Sequence, residues 1–299
     1  MSFKTKALWV EDLSGDDQVK RTIRDAATMG ATAIYAYSTN AALPDAIKAF
    51  QDNKLKVYAW QWAHTTPQKN KDGTPNLNDP RFVPNEINNV VNILIPKGID
   101  GYVFDVESND GVHYAPDKKP YAADWDNPDL IKPPPGQKSL LDLATDYTGA
   151  IQTAFSKRAT PYSLGLTSHA RGFSNYPDIP WLAFLKVCTV LFPQTYWRYN
   201  EDGAPVDENK NKDGLGTPEQ AVLNGYTDYQ AYLKKHGLQR EIVPLAGEIA
   251  SAKIGEMKRF AAAIAPHSPQ DAQFYVDADD SIEVPGQLGD ILSEIGTIK

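Results

Sequence analysis

The chain has 299 residues, of which 41% are hydrophobic and 23% charged, enough apolar matter to bury a large core and too much for wholesale disorder. A formal net charge of -8 argues against a nucleic acid or an anionic membrane as the main partner, because both reward clustered lysine and arginine, and it favours a neutral ligand. The lone cysteine, Cys188, excludes an intrachain disulfide and a cysteine-ligated zinc cluster, and its setting in Val187-Cys188-Thr189-Val190-Leu191 reads as an inert core thiol.

Taken in chain order, short β-branched and aromatic runs alternate with helical periodicity. Strands are expected at 7–11, 33–38, 56–62, 101–107, 162–168, 190–197, 241–248 and 273–278. Helices are expected at 17–29, 44–51, 81–95, 139–157, 218–236 and 252–265, with Ser139 and Thr217 in N-cap positions. Eight strands joined by helices predict a (β/α)8 TIM barrel, one α/β domain over 1–299. Residues 1–10 lack the apolar stretch of a secretory signal, and segment 181–192, interrupted by Lys186, falls short of the roughly 20 residues of a membrane span. No transmembrane helix is expected, and the cellular location stays open.

Connection lengths support the same architecture. The helix-to-strand joints 29–32, 53–55 and 96–100 are brief, whereas 64–80, 109–138 and 198–216 follow strands and are long. A barrel enzyme elaborates that face. The strand ends there collect carboxylates and aromatics: Glu11, Asp12, Trp60, Trp62, Asp105, Glu107, His169, Tyr196, Trp197, Glu248, Asp277 and Asp279. Indoles are natural platforms for the apolar CH faces of sugar rings, which makes Trp60, Trp62, Trp197 and the loop residue Trp125 candidate sugar contacts. His169, after the fifth strand, is a candidate substrate contact, and Glu248 and Asp277 are others.

The most informative stretch is Gly98-Ile99-Asp100-Gly101-Tyr102-Val103-Phe104-Asp105-Val106-Glu107-Ser108. Side chains alternate across a strand, so Val103, Asp105 and Glu107 share one face and Tyr102, Phe104 and Val106 the other. The apolar set faces the helices. Asp105 and Glu107 then point into the barrel about 6.6 Å apart along the backbone. Such a pair raises one pKa, the requirement of a general acid near neutral pH.

This segment resembles the signature of glycoside hydrolase family 18, the chitinases and endo-N-acetylglucosaminidases, which ends in a catalytic Glu. Val103 departs from it, standing where the family carries a further acidic residue. Phe192-Pro193-Gln194-Thr195-Tyr196-Trp197 is similar to the family's Met-x-Tyr segment, with Gln194 and Tyr196 facing inward together. The resemblance implies substrate-assisted retaining hydrolysis. In that scheme Glu107 protonates the glycosidic oxygen, Asp105 orients the substrate acetamido group as it attacks the anomeric carbon, and Tyr196 sits over that group. The same Asp-x-Glu pair, with Tyr275-Val276-Asp277-Ala278-Asp279, also resembles family 25 lysozymes, although Trp9-Val10-Glu11-Asp12 replaces that family's opening motif.

No metal or other cofactor is expected. His64, His113, His236 and His267 are scattered without paired spacing. Segment 209–217 has the alternation of a calcium loop but carries Gln220 at its twelfth position, and reads as a surface turn. The leading expectation is hydrolysis of a glycan containing N-acetyl sugars. A family 25-like muramidase and a catalytically silent carbohydrate-binding barrel, the latter prompted by Val103, are the alternatives.

Overall fold

The computed structural model describes residues 5–108, 125–133, 135–197, 216–247, 249, 252–267, 271–276 and 287–298. Strands β1 (Thr5–Val10), β2 (Ala33–Tyr37), β3 (Lys56–Trp62), β4 (Gly101–Asp105), β5 (Ser163–His169) and β6 (Val190–Gln194) pair in parallel, each with the next. The seventh barrel strand is two short pieces, β7 (Glu241–Ile242) and β8 (Leu245–Ala246), both paired with β6. Between them lies Pro244, which has no N–H to give the ladder. The last strand, β9 (Asp271–Val276), pairs with β8 and over its whole length with β1, closing the barrel. The (β/α)8 expectation holds, with strand six ending at Gln194 rather than 197.

Helices cover the outside with the residues their periodicity predicts. Helix Asp16–Met29 buries Val19, Thr22, Ala26 and Met29, and Gly30 ends it at φ 69°, a conformation that glycine adopts without steric cost. Ser139 caps Leu140–Ser156 in a reciprocal pair with Asp142, and the Thr217 hydroxyl accepts the Gln220 N–H at 3.2 Å. Each such cap contributes about 1 kcal/mol. The helix expected at 81–95 begins at Val83 and widens to a π-turn over Val90–Leu94. Pro96 follows after Ile95; lacking an N–H, it cannot return an i→i−4 bond to Asn92. Among the described residues no helix is long and apolar enough to cross a membrane.

Two apolar layers result. Outward strand residues such as Leu8, Ile34, Val57, Phe104, Leu166 and Phe274 pack under the helices with Cys188, whose thiol pKa is pushed up by burial. Inside, the barrel is plugged by aromatics. Trp9 stacks on Tyr35 at 4.5 Å, Tyr35 stacks on Tyr58 at 4.5 Å, and Phe192 meets Trp9 edge-on at 5.4 Å. Such pairs contribute about 0.5–1.5 kcal/mol each beyond area burial. The plug leaves no room at Gly165, where an added Cβ would lie 2.7 Å from the Phe192 ring. Val103 belongs to this plug, only 1% exposed, so an apolar contact occupies the position that is acidic in family 18.

Candidate active site

Above the plug, on the side where the strands end, opens a cleft of about 460 Å³. Its size falls within the roughly 300–1,000 Å³ of small-ligand sites. Asp105 is the last residue of β4 and is 5% exposed, while Glu107, two residues on along the same inward face, is half-buried at the wall. The carboxyl groups hydrogen-bond each other. Gln194, the last residue of β6, spans both, its Nε2 donating to Glu107 Oε1 at 2.6 Å and to Asp105 Oδ1 at 3.3 Å.

Burial falls on Asp105 rather than on Glu107, the acid that the resemblance implies. Asp105 lies deeper, at the level where the barrel is closed. Desolvation, then the charge and hydrogen bond of Glu107, and then the charge of Glu11, push the Asp105 carboxyl well above the usual carboxylate range. Burial and the neighbouring charges thus favour the protonated form of Asp105, the inner member of the pair.

The backbone under Glu107 is fixed from two sides. Its carbonyl accepts the Trp125 N–H at 3.2 Å, and the next carbonyl, Ser108 O, lies 3.1 Å from His169 Nε2. A carbonyl only accepts, so Nε2 carries the ring proton. His169 lines the cleft and at the same time holds the chain just beyond β4.

Aromatic side chains form much of the remaining lining. Tyr196 stacks on Tyr275 at 5.9 Å, and the Tyr275 hydroxyl donates to Glu11 Oε2 at 2.7 Å. The Tyr196 ring lies directly on Gly247, where any Cβ would collide with it. Trp60 meets Tyr37 edge-on at 4.6 Å, and Trp62 carries the Arg81 guanidinium over its face at 5.7 Å. The indole N–H groups of Trp60 and Trp62 are buried and have no hydrogen-bond partner among the described residues.

The cleft thus brings together Asp105, Glu107, Gln194, Tyr196, Trp60, Trp62 and His169. It does not include Trp197. Tyr196 lines the cleft, whereas Trp197, three residues beyond the end of β6, is 2% exposed and packs 5.7 Å from Phe260 under the helices. Trp125 is likewise withdrawn: it is fully buried under the helices, stacks on Tyr147 at 6.1 Å, and donates its indole N–H to Ala63 O at 2.9 Å. An indole so packed has no face left for a sugar. Glu248, Asp277 and Asp279, like most of the 109–138 and 198–216 segments, lie outside the described residues.

The sequence reading singled out no role for Tyr37, Arg81 or Tyr275, all of which line the cleft. Tyr37 and Tyr275 were available from strand phase, since each shares its strand's inward face with a plug or cleft residue. Arg81 had no such signal. It arrives at the end of the 64–80 connection, which a buried pair clasps: His64 Nδ1 lies 2.9 Å from Asp79 Oδ2, and Asp79 also accepts the Gln68 and Arg81 backbone N–H groups at 3.0 Å. The His64 carbonyl then accepts the Val83 N–H at 3.0 Å, and the Arg81 carbonyl accepts the His64 N–H at 2.7 Å.

No protein-family model matches the sequence, and no curated protein resembles it at sequence level. Solved structures of similar architecture include a β-1,4-mannanase of glycoside hydrolase family 113, at 9% identity over 100% of this chain and 99% of that one, with a TM-score of 0.54. A family 18 chitinase from Crocus vernus aligns at 10% identity over 92% of this chain and 93% of that one, with a TM-score of 0.45. At these identities the mannanase alignment establishes the barrel fold and leaves function to be argued from the site.

Proposed function

We propose that the protein is a retaining glycoside hydrolase acting on a glycan with N-acetyl sugars, by substrate assistance. The observation that carries this reading is the hydrogen-bonded Asp105–Glu107 pair under Gln194, in a cleft walled by aromatic rings. Both carboxylates come from one strand end and so approach a bound sugar from one side. A protein nucleophile has to attack from the face opposite the leaving group, and the substrate's own acetamido oxygen meets that requirement.

In this mechanism the proton shared by the pair passes to Glu107, which delivers it to the glycosidic oxygen as the bond to the anomeric carbon breaks. Asp105 accepts a hydrogen bond from the acetamido N–H, turning the carbonyl oxygen onto the anomeric carbon and stabilising the charge of the cyclised intermediate. Glu107, now ionised, takes a proton from the water that opens that ring. Gln194 keeps both carboxyl groups oriented, and Tyr196 and the indoles hold the sugar. The likeness to glycosidase barrels agrees with such chemistry, and Val103 means that proton exchange ends at Asp105 rather than continuing deeper.

The test is product stereochemistry together with inhibition. Hydrolysis should proceed with retention, require the 2-acetamido group at the sugar whose bond is cut, and be blocked by a thiazoline mimic of the intermediate. Inversion at the anomeric carbon, or equal cleavage of glucose and N-acetylglucosamine oligomers, would refute the mechanism. Absence of turnover on chitin oligomers, N-glycan cores and peptidoglycan would leave only a sugar-binding barrel.

A further inference from the structure

We infer that Arg81 is a carboxylate-recognition residue, and that the glycan accepted by this cleft carries an acidic substituent on a sugar beside the scissile bond. The inference rests on the glycosidase reading above and adds the substrate class to it.

Three observations carry it. First, Arg81 is the one cationic side chain among the described residues that line the cleft, and no described carboxylate pairs with it. Its guanidinium lies over Trp62 at 5.7 Å and beside the Tyr37 hydroxyl. Second, the acids of the same cleft are already engaged. Glu11 accepts from the Tyr275 hydroxyl, and Asp105 and Glu107 share Gln194. An arginine serving only to neutralise this acidic cluster would pair with one of its members. Third, the backbone of Arg81 is bonded on both sides, to Asp79 Oδ1 and to the His64 N–H, so the guanidinium starts from a fixed point instead of a loose loop tip.

A planar, stacked guanidinium that lines a cleft is suited to a carboxylate, which it binds in a two-point fork. The chain's net charge of -8 does not oppose this, because charges beyond about 8 Å are largely screened at physiological salt. Two N-acetylated glycans present such a group differently: a uronate on the ring, as in hyaluronan, and a lactyl ether, as in the muramic acid of peptidoglycan.

The experiment measures binding in the Glu107→Gln protein, where turnover is suppressed, with and without Arg81→Gln. The probes are a hyaluronan hexasaccharide, peptide-free peptidoglycan strands, the same two glycans with carboxyls converted to methylamides, and chitohexaose. At least one acidic probe should bind about tenfold more tightly than its methylamide. Arg81→Gln should remove that difference and leave chitohexaose binding within about twofold, and Arg81→Lys should restore part of it. The acidic probe that shows the preference identifies which carboxylate is read. If neither acidic probe outbinds its methylamide, or if Arg81→Gln weakens chitohexaose to the same degree, the inference is overturned. Hydrolysis of the unmodified probes by the wild-type chain is scored separately. A carboxylate preference without hydrolysis would sink the enzyme reading alone, and hydrolysis without the preference would sink the Arg81 inference alone.

Discussion

Replacing Glu86 with glutamine should flatten the pH dependence of stability between pH 5 and 8. Glu86 is fully buried on helix Val83–Asn89, behind the cleft wall, where it accepts the Tyr102 hydroxyl at 2.7 Å and is ringed by Ser38, Gln61 and Asn89. Burial pushes its carboxyl from 4.5 up to about 7, against the lowering effect of those donors. With the folded value above the unfolded one, the folded state binds the proton more tightly. The stability this contributes is complete below pH 4.5 and is lost as the pH rises through 7. A difference of about 2.5 units at about 1.36 kcal/mol each is worth about 3 kcal/mol, a large share of a net stability of roughly 5–15 kcal/mol. The neutral amide of Glu86→Gln has no such term, and Gln61 Oε1, a buried acceptor with no described donor, is available to its extra N–H. The assay is urea unfolding of both proteins at pH 5, 6, 7 and 8, taking the difference so that other titrations cancel. The variant should gain on wild type by about 2–3 kcal/mol from pH 5 to pH 8. Parallel stability curves would refute the reasoning, since they require Glu86 to titrate alike in the folded and unfolded chains.

Three further outcomes are expected. Glu107→Gln should lower kcat by about 10³-fold while ligand affinity, read by calorimetry, stays close to wild type, because the group moves a proton and need not grip the ground state. Asp105→Asn removes the charge that makes the pair hold its proton, so the alkaline limb of kcat/KM should move to lower pH in whatever activity remains; an unmoved limb would show the carboxyls to be uncoupled. Gly247→Ala places a methyl group inside the Tyr196 ring and should cost about 1–3 kcal/mol of stability and raise KM, measured by thermal unfolding and kinetics; an unchanged KM would remove Tyr196 from the sugar site.

Period two along a strand is a local property, and it made much of this protein legible from its residues. It put Asp105 and Glu107 on one face with Val103 beneath them, set Gln194 and Tyr196 together on another strand, and through the alternation of strands with helices gave the barrel whose closure brings those strand ends to one cleft. Other features depend on groups distant in sequence. Asp105, not Glu107, is the buried carboxyl because the levels of β4 and β6 are set by ladder register across the sheet. Trp125 and Trp197 look like sugar platforms by type, yet each is drawn under the helices by partners far along the chain, Tyr147 and Phe260. Arg81 is brought to the cleft by a connection that the His64–Asp79 pair holds closed. A strand's own sequence decides which side each residue faces. How deep that residue lies, and what meets it there, is decided by register and loop closure, whose energies come from contacts between residues tens to hundreds of positions apart.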